Sequence, residues 1–163
     1  MTKLRAVLVL AIACALVSAF VMTAQAKKID CRKGDASQPQ DYQPSGCKKK
    51  GDGFKIVGTQ RADNLIGSDD DDSISGRGGK DKIRSGDGDD VASGGSGNDS
   101  IALGDGDDKA GGGSGKDGVS GGAGDDKINV KRGGRDRVNC GSGDDTVRAD
   151  RSDRVSSNCE TVK

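Results

Sequence analysis

An aspartate recurs every nine residues through the middle of this 163-residue sequence. Eight successive positions obey the period without a gap: Asp63, Asp72, Asp81, Asp90, Asp99, Asp108, Asp117 and Asp126. Two residues after each aspartate stands an apolar side chain, in order Leu65, Ile74, Ile83, Ala92, Ile101, Ala110, Val119 and Ile128. Glycine stands two residues before the aspartate, except in the first two repeats, where Arg61 and Asp70 take its place. A short fixed period of this kind is typical of solenoids, in which one small unit stacks on the next.

The period becomes irregular at both ends of the array. Beyond Ile128 the spacing changes to ten residues at Asp136, nine at Asp145 and eight at Asp153, and a last repeat ends with Glu160. Upstream, Ile56 lies nine residues before Leu65. We therefore expect the repeats to span residues 53–163.

Each repeat has a direct structural interpretation. Glycines allow the positive φ angles of a tight turn, and the three residues centred on the apolar one form a very short strand with only that side chain inward. Two repeats complete an 18-residue coil, so successive turns alternate between two sides. This predicts an all-β fold, a parallel β-roll. Asp81, Asp99 and Asp117 stack on one side, and Asp72, Asp90, Asp108 and Asp126 on the other.

Composition excludes most enzymatic chemistry. The chain has 25 aspartates but one glutamate, no histidine and 2% aromatic residues. Catalytic triads and histidine-bound zinc are impossible, and an EF-hand lacks its closing glutamate. Identical repeats give no asymmetric pair of acids for glycoside hydrolysis, so we expect no enzyme. A basic stripe with stacking aromatics is also missing, which argues against nucleic-acid binding.

Acidic charge is concentrated in the regular repeats. Residues 58–128 contain 8 basic and 16 acidic side chains, whereas the segments before and after them are net basic. Stacked strands lie ~4.8 Å apart, so successive aspartates on one side come close together. Two carboxylates and several loop carbonyls form an all-oxygen site, which suits Ca²⁺ better than Mg²⁺. About four strong sites are expected, between Asp81 and Asp99, Asp99 and Asp117, Asp90 and Asp108, and Asp108 and Asp126. The predicted carboxylate ligands are Asp72, Asp81, Asp90, Asp99, Asp108, Asp117, Asp126 and Asp145. The glycines predicted to line the sites are Gly86, Gly88, Gly95, Gly97, Gly104, Gly106, Gly113, Gly115, Gly122 and Gly124.

The repeat resembles a known family. Residues 94–102 read G-G-S-G-N-D-S-I-A and fit the pattern G-G-x-G-x-D-x-U-x, where U is apolar, as do residues 112–120 and 121–129. This pattern is similar to the RTX, or hemolysin-type, calcium-binding repeats. The resemblance implies a parallel β-roll with calcium between stacked turns. RTX toxins and proteases also carry a large catalytic or pore-forming domain, which this sequence lacks, so a small secreted repeat protein is expected.

The first residues are typical of a signal peptide. Lys3 and Arg5 precede an apolar run over residues 6–22, and Ala24-Gln25-Ala26 supplies a cleavage site, so residues 1–26 are the expected signal. A retained membrane anchor is the alternative, and no membrane span is expected after cleavage. Residues 27–52 form a polar N-terminal segment.

Removal of residues 1–26 leaves four cysteines in the exported chain. Disulfides are their expected state, because disulfides persist outside the cytosol. Cys31 and Cys47 bracket a polar loop within residues 27–52 and should pair. Counting repeats places Cys140 and Cys159 on the same side and one layer apart, near ~5 Å, which a disulfide tolerates.

Two roles remain open for such a protein. One is a structural or adhesive extracellular module stiffened by calcium, and the other is a calcium buffer or a partner-binding module at the cell surface. The outward strand positions carry an ordinary soluble surface with no evident partner patch: Lys82, Arg84, Ser100, Lys109, Lys127 and Asn129. The protein or polysaccharide partner is therefore unknown from the sequence.

Overall fold

A computed structural model describes residues 27–31 and 47–163 of the chain. The predicted signal peptide and most of the polar loop between Cys31 and Cys47 lie outside these residues. In the described part there is no helix, and so none that is long and apolar enough to cross a membrane.

The chain winds into a parallel β-solenoid of about six coils, as the 18-residue period predicts. Every coil contributes one strand to each of two sheets. The seven strands of sheet A, in spatial order, are β1 (Lys27–Asp30), β4 (Asp63–Ile66), β6 (Lys82–Asp87), β8 (Ser100–Asp105), β10 (Gly118–Ala123), β12 (Arg137–Ser142) and β14 (Arg154–Val155). The eight strands of sheet B are β2 (Cys47–Lys50), β3 (Gly53–Val57), β5 (Ser73–Gly78), β7 (Val91–Ser96), β9 (Lys109–Ser114), β11 (Lys127–Asn129), β13 (Thr146–Arg148) and β15 (Thr161–Val162).

Strand register follows the sequence period closely. Ile83 lies beside Ile101 and Ile101 beside Val119, each 18 residues apart. Val119 then pairs with Val138, which is 19 residues away, because the turn before Asp136 contains one extra residue. The insertion is accommodated in that turn and leaves the parallel pairing intact.

Two columns of apolar side chains fill the space between the sheets. The column of sheet A consists of Ile29, Leu65, Ile83, Ile101, Val119 and Val138, and that of sheet B of Ile56, Ile74, Ala92, Ala110, Ile128 and Val147. Apart from Ile29, which lies in the N-terminal segment before the predicted repeats, these are the apolar positions of the repeat, and each is buried as predicted.

The strands are longer than the sequence pattern indicates. Regular strands such as β6 and β8 have six residues, with two inward positions instead of one. The second inward position is the first residue of the next repeat, where Leu103, Val130 and Cys140 are buried. The expectation of a three-residue strand with one inward side chain is therefore wrong. The strand continues because glycines at the next positions still form the parallel ladder.

The ends of the roll are closed by both predicted disulfides. Cys31–Cys47, with Cα atoms 5.9 Å apart, joins the end of β1 in sheet A to the start of β2 in sheet B. Cys140–Cys159, with Cα atoms 5.2 Å apart, ties the last irregular turn to the layer before it. The strand at the N-terminal edge of sheet B, β2, runs antiparallel to β3 and exposes Lys48, Lys49 and Lys50. Charged side chains on an edge strand oppose pairing with another sheet.

Candidate metal sites

The turns that connect the two sheets form two edges of the roll. The Asp99 edge consists of the turns that lead from sheet B to sheet A, and the Asp90 edge of the turns that lead from sheet A to sheet B. Along the Asp99 edge stand Asp63, Asp81, Asp99, Asp117, Asp136 and Asp153. Along the Asp90 edge stand Asp72, Asp90, Asp108, Asp126 and Asp145, followed by Glu160.

One hydrogen bond repeats down each edge and joins consecutive coils. The N–H of Asp81 donates to Oδ1 of Asp99 at 2.8 Å, and the N–H of Asp99 donates to Oδ1 of Asp117 at 2.9 Å. Asp90 and Asp108 are joined in the same way at 2.7 Å, and Asp108 and Asp126 at 3.1 Å. All four pairs predicted from the sequence therefore stack as neighbours. The aspartates form two continuous carboxylate ladders.

The second oxygen of most ladder carboxylates is buried without a hydrogen-bond partner in the described structure. Eight Oδ2 atoms have this property: those of Asp81, Asp99, Asp117 and Asp136 on one edge, and of Asp90, Asp108, Asp126 and Asp145 on the other. These residues are at most 3% exposed. Burying a carboxylate oxygen without a partner is costly, so rows of such atoms point to a cation between the turns.

The pKa values of these groups show the same electrostatic cost. Burial raises the pKa of Asp90 to about 7 and that of Asp81 to about 6, although the backbone N–H bound to each carboxylate acts in the opposite direction. Burial also raises the pKa of Asp108 and Asp126 to about 6. The neighbouring ladder carboxylate contributes to the rise at Asp90, because like charges stack along the edge.

Carboxylates in the end turns are satisfied by the chain itself. Oδ2 of Asp72 accepts hydrogen bonds from the N–H and the hydroxyl of Ser68, at 2.6 and 3.2 Å. Oδ2 of Asp63 accepts the corresponding bonds from Thr59, and Oδ2 of Asp153 accepts the N–H of Asp150. These three turns therefore differ from the eight in which Oδ2 has no partner.

Glycines shape the turns in which the Oδ2 atom has no partner. All ten glycines predicted to line the sites have positive φ angles, between 102° and 145°. At the first position of a repeat, a Cβ on Gly94 would collide with Oδ2 of Asp99, and a Cβ on Gly121 with Oδ2 of Asp126. The space beside these oxygens is thus kept free of side-chain atoms.

Backbone oxygens must complete any ion site in these turns. In the described chain no three acidic or cysteine side chains converge on one point. Successive ladder carboxylates instead form pairs. At the second position of the repeat, the carbonyl of Gly86 faces Gly104 of the next coil, whose carbonyl in turn faces Gly122. The carboxylate pairs and the columns of glycine carbonyls together supply hard oxygen ligands, which fit Ca²⁺.

A family model for the RTX calcium-binding nonapeptide repeat matches four stretches, residues 57–92, 85–119, 93–128 and 132–153. Together they cover more than half of the chain. This chain belongs to the RTX calcium-binding nonapeptide repeat family. Comparisons with curated proteins and with solved structures found no match.

Within this RTX roll, the set of carboxylates with an unpartnered Oδ2 differs from the predicted ligand set at two residues. Asp72 is on the Asp90 edge as predicted, but its second oxygen is already bound by Ser68. Asp136, absent from the predicted ligand set, is fully buried with an unpartnered Oδ2 and accepts the N–H of Asp117 at 2.8 Å. The sequence period includes Asp136, which the apolar Val138 follows at the usual distance, but the ten-residue step before it excludes it from the regular repeats used to predict the ligands.

Proposed function

We propose that the chain is a secreted, non-enzymatic protein whose RTX roll folds and stiffens when Ca²⁺ binds between its turns. In this proposal the stiffened roll serves as a structural or adhesive module outside the cell. The observation that carries the proposal is the set of eight buried, unpartnered carboxylate oxygens arranged in two ladders. Such a set is unfavourable in the protein alone, and a divalent cation would neutralise it.

The ladders divide into six gaps, each between two carboxylates with unpartnered oxygens. Three gaps lie on the Asp99 edge, between Asp81 and Asp99, Asp99 and Asp117, and Asp117 and Asp136. Three lie on the Asp90 edge, between Asp90 and Asp108, Asp108 and Asp126, and Asp126 and Asp145. We therefore propose six ions, held by these carboxylates and by glycine carbonyls. Bound Ca²⁺ supplies positive charge and accepts 6–8 oxygen ligands.

Secretion is supported by the amino-terminal sequence and by the cysteines. Residues 1–26 have the charge pattern and cleavage site of a signal peptide, and both cysteine pairs of the described chain form disulfides, which persist mainly outside the cytosol. A non-enzymatic role is supported by the ladders, since equivalent environments do not separate the roles of acid and base.

Calcium titration monitored by far-ultraviolet circular dichroism tests the proposal. We expect a coil-like spectrum in chelator and a β-rich spectrum in millimolar calcium, because ions that bind only the folded state stabilise it by mass action. Calorimetry should find about six ions for each chain, and equal magnesium should give a weaker response. A fully β-structured spectrum in chelator, unchanged by calcium, would contradict calcium-driven folding.

A further inference from the structure

The two edges of the roll carry opposite charges on the turn residues that precede the ladder carboxylates. The Asp99 edge has eight basic residues and one acidic residue, Asp150, in these segments. Its basic residues are Arg61, Arg77, Lys80, Lys116, Lys131, Arg132, Arg135 and Arg151. The Asp90 edge has nine acidic residues and no basic one in its turns. They are Asp69, Asp70, Asp71, Asp87, Asp89, Asp105, Asp107, Asp125 and Asp144.

These charges face solvent and the basic ones have no acidic partner within the described chain. All eight basic side chains of the Asp99 edge are exposed, and none forms an ion pair there. On the Asp90 edge all but the half-buried Asp70 are exposed. The molecule is therefore strongly polarised across its width.

The exposed acidic residues of the Asp90 edge have a fixed spacing. The N–H of Asp89 donates to Oδ1 of Asp71 at 2.9 Å, and that of Asp107 donates to Oδ1 of Asp89 at 3.0 Å. The pattern continues through Asp125 and Asp144. These bonds hold one exposed carboxylate on each coil, ~4.8 Å from the next. The basic edge rises by the same step per coil, because both edges belong to the same winding.

Strained backbone conformations occur on the Asp99 edge. In the described chain two non-glycine residues have positive φ, Arg77 at 73° and Arg132 at 72°, and both lie on the Asp99 edge. Neighbouring coils use glycine at the position of Arg77, for example Gly95 at 105°. A left-handed conformation is unfavourable for a residue that carries a side chain, and glycine avoids this cost. Backbone strain of this kind is concentrated at functional sites, so an arginine at a position where glycine would be unstrained supports a functional role for this edge.

We propose that a second copy of this chain docks its acidic Asp90 edge against the basic Asp99 edge of the first. A sideways translation brings the edges together with matched coil spacing. The contact uses different surfaces on the two copies, so it does not close and can extend into a row of rolls. The inference rests on the proposed calcium-folded state, and it supplies the mechanism by which the roll acts as a structural material.

Charge reversal on each edge provides the test, with sedimentation velocity in millimolar calcium as the measurement. The basic-edge variant is Lys80→Glu with Lys116→Glu, and the acidic-edge variant is Asp87→Lys with Asp105→Lys. These four side chains are exposed, and none of them makes a side-chain hydrogen bond recorded in the structure. The matched control, Lys82→Glu with Lys109→Glu, makes the same charge change as the basic-edge variant on the outward faces of β6 and β9. Circular dichroism in calcium establishes that each variant is folded.

We expect the parent protein and the control to form oligomers at about 0.01 M salt and to dissociate at about 1 M, where the screening length falls from ~30 to ~3 Å. Each edge variant alone should remain monomeric. Mixing the two edge variants should give a dimer that grows no further, because only one intact edge of each kind remains.

The inference is overturned if the folded parent protein is monomeric at low salt. It is overturned equally if the folded protein binds an added polyanion but does not associate with a second copy. It is also overturned if the control dissociates like the edge variants, or if only the acidic-edge variant does, which would indicate calcium bridging of like edges. A failure to fold with calcium would instead contradict the proposed function.

Discussion

At the scale of single residues, the second position of the repeat decides whether a turn is open to an ion. Ser68, which does not have positive φ, places its N–H and hydroxyl on Oδ2 of Asp72. Gly86 and Arg77 occupy the same position with positive φ, and the Oδ2 atoms of Asp90 and Asp81 have no hydrogen-bond partner in the described structure. The nine-residue period gives Asp72 and Asp90 the same role, because it records the aspartate and not the neighbour that satisfies it.

Replacing Asp99 by asparagine should therefore affect calcium binding far more than replacing Asp72. The amide oxygen of Asp99→Asn can still accept the N–H of Asp81, but the charge shared by two ion sites is lost. We expect the calcium midpoint to rise about tenfold, which corresponds to ~1.4 kcal/mol. The matched variant Asp72→Asn should leave the midpoint within about twofold and reduce stability instead, since Ser68 and Phe54 both donate to its carboxylate. Equal midpoints for the two variants would contradict the distinction between open and closed turns.

At the scale of strands and turns, the sequence predicts the winding better than it predicts the core. Alternating sides, 18-residue register and the Cys140–Cys159 layer all follow from counting repeats. The second inward position of each strand does not follow from counting repeats. Glycine occupies it in the most regular repeats, and an apolar residue appears there only irregularly. Leu103 is 1% exposed and packs in the core although the repeat pattern has glycine at its position.

Truncating Leu103 to alanine should consequently destabilise the calcium-bound roll by about 2–5 kcal/mol, as in other buried leucines. Val91→Ala is the control, because its side chain is 45% exposed and surface changes of this kind are usually within about 0.5 kcal/mol. Chemical denaturation in saturating calcium measures both. Similar losses for the two variants would show that the first position of the repeat is not a core position.

The carboxylate ladders predict a pH dependence with opposite signs in chelator and in calcium. Burial raises the pKa of Asp90 to about 7 and of Asp108 to about 6, above the value of ~3.9 in an unfolded chain. The folded ladder therefore binds protons more readily than the coil, and its stabilisation by protons is fully present below pH ~3.9 and lost as pH rises through 6 to 7. In chelator, β-structure should increase as the pH is lowered from 8 to about 5. In a calcium titration the midpoint should rise over the same change, because protons compete for the carboxylates. Less β-structure at the lower pH in chelator would contradict this account.

At the scale of the whole molecule, a period of 18 residues carries information that the nine-residue period conceals. Averaging all repeats gives an acidic centre and an ordinary outer surface. Separating odd from even repeats places Lys80, Lys116 and Arg135 on one edge and Asp89, Asp107 and Asp125 on the other. The charge segregation was therefore present in the sequence, but it becomes visible only when two repeats are treated as one coil.

The N-terminal end of the roll also differs from its centre in how it is held together. At the N-terminal end, Cys31–Cys47 links the two sheets, and the carboxylates of Asp63 and Asp72 are satisfied by Thr59 and Ser68. The eight carboxylates with unpartnered oxygens all follow, from Asp81 to Asp145. Removing calcium should thus release the centre first, because only there does repulsion between buried charges remain uncompensated.

Hydrogen exchange in chelator measures this difference along the chain. We expect residual amide protection in β3, β4 and β5, and fast exchange from β6 to β13, whereas calcium should protect the whole described roll. The replacement of both Cys31 and Cys47 by serine should abolish the residual protection in chelator, since the link between the sheets is lost. The same variant should keep the protection of β6 to β13 in calcium, because those coils contain the proposed ion sites. Protection in chelator that is uniform, or highest in β8 and β10, would show that the N-terminal coils do not fold ahead of the ions.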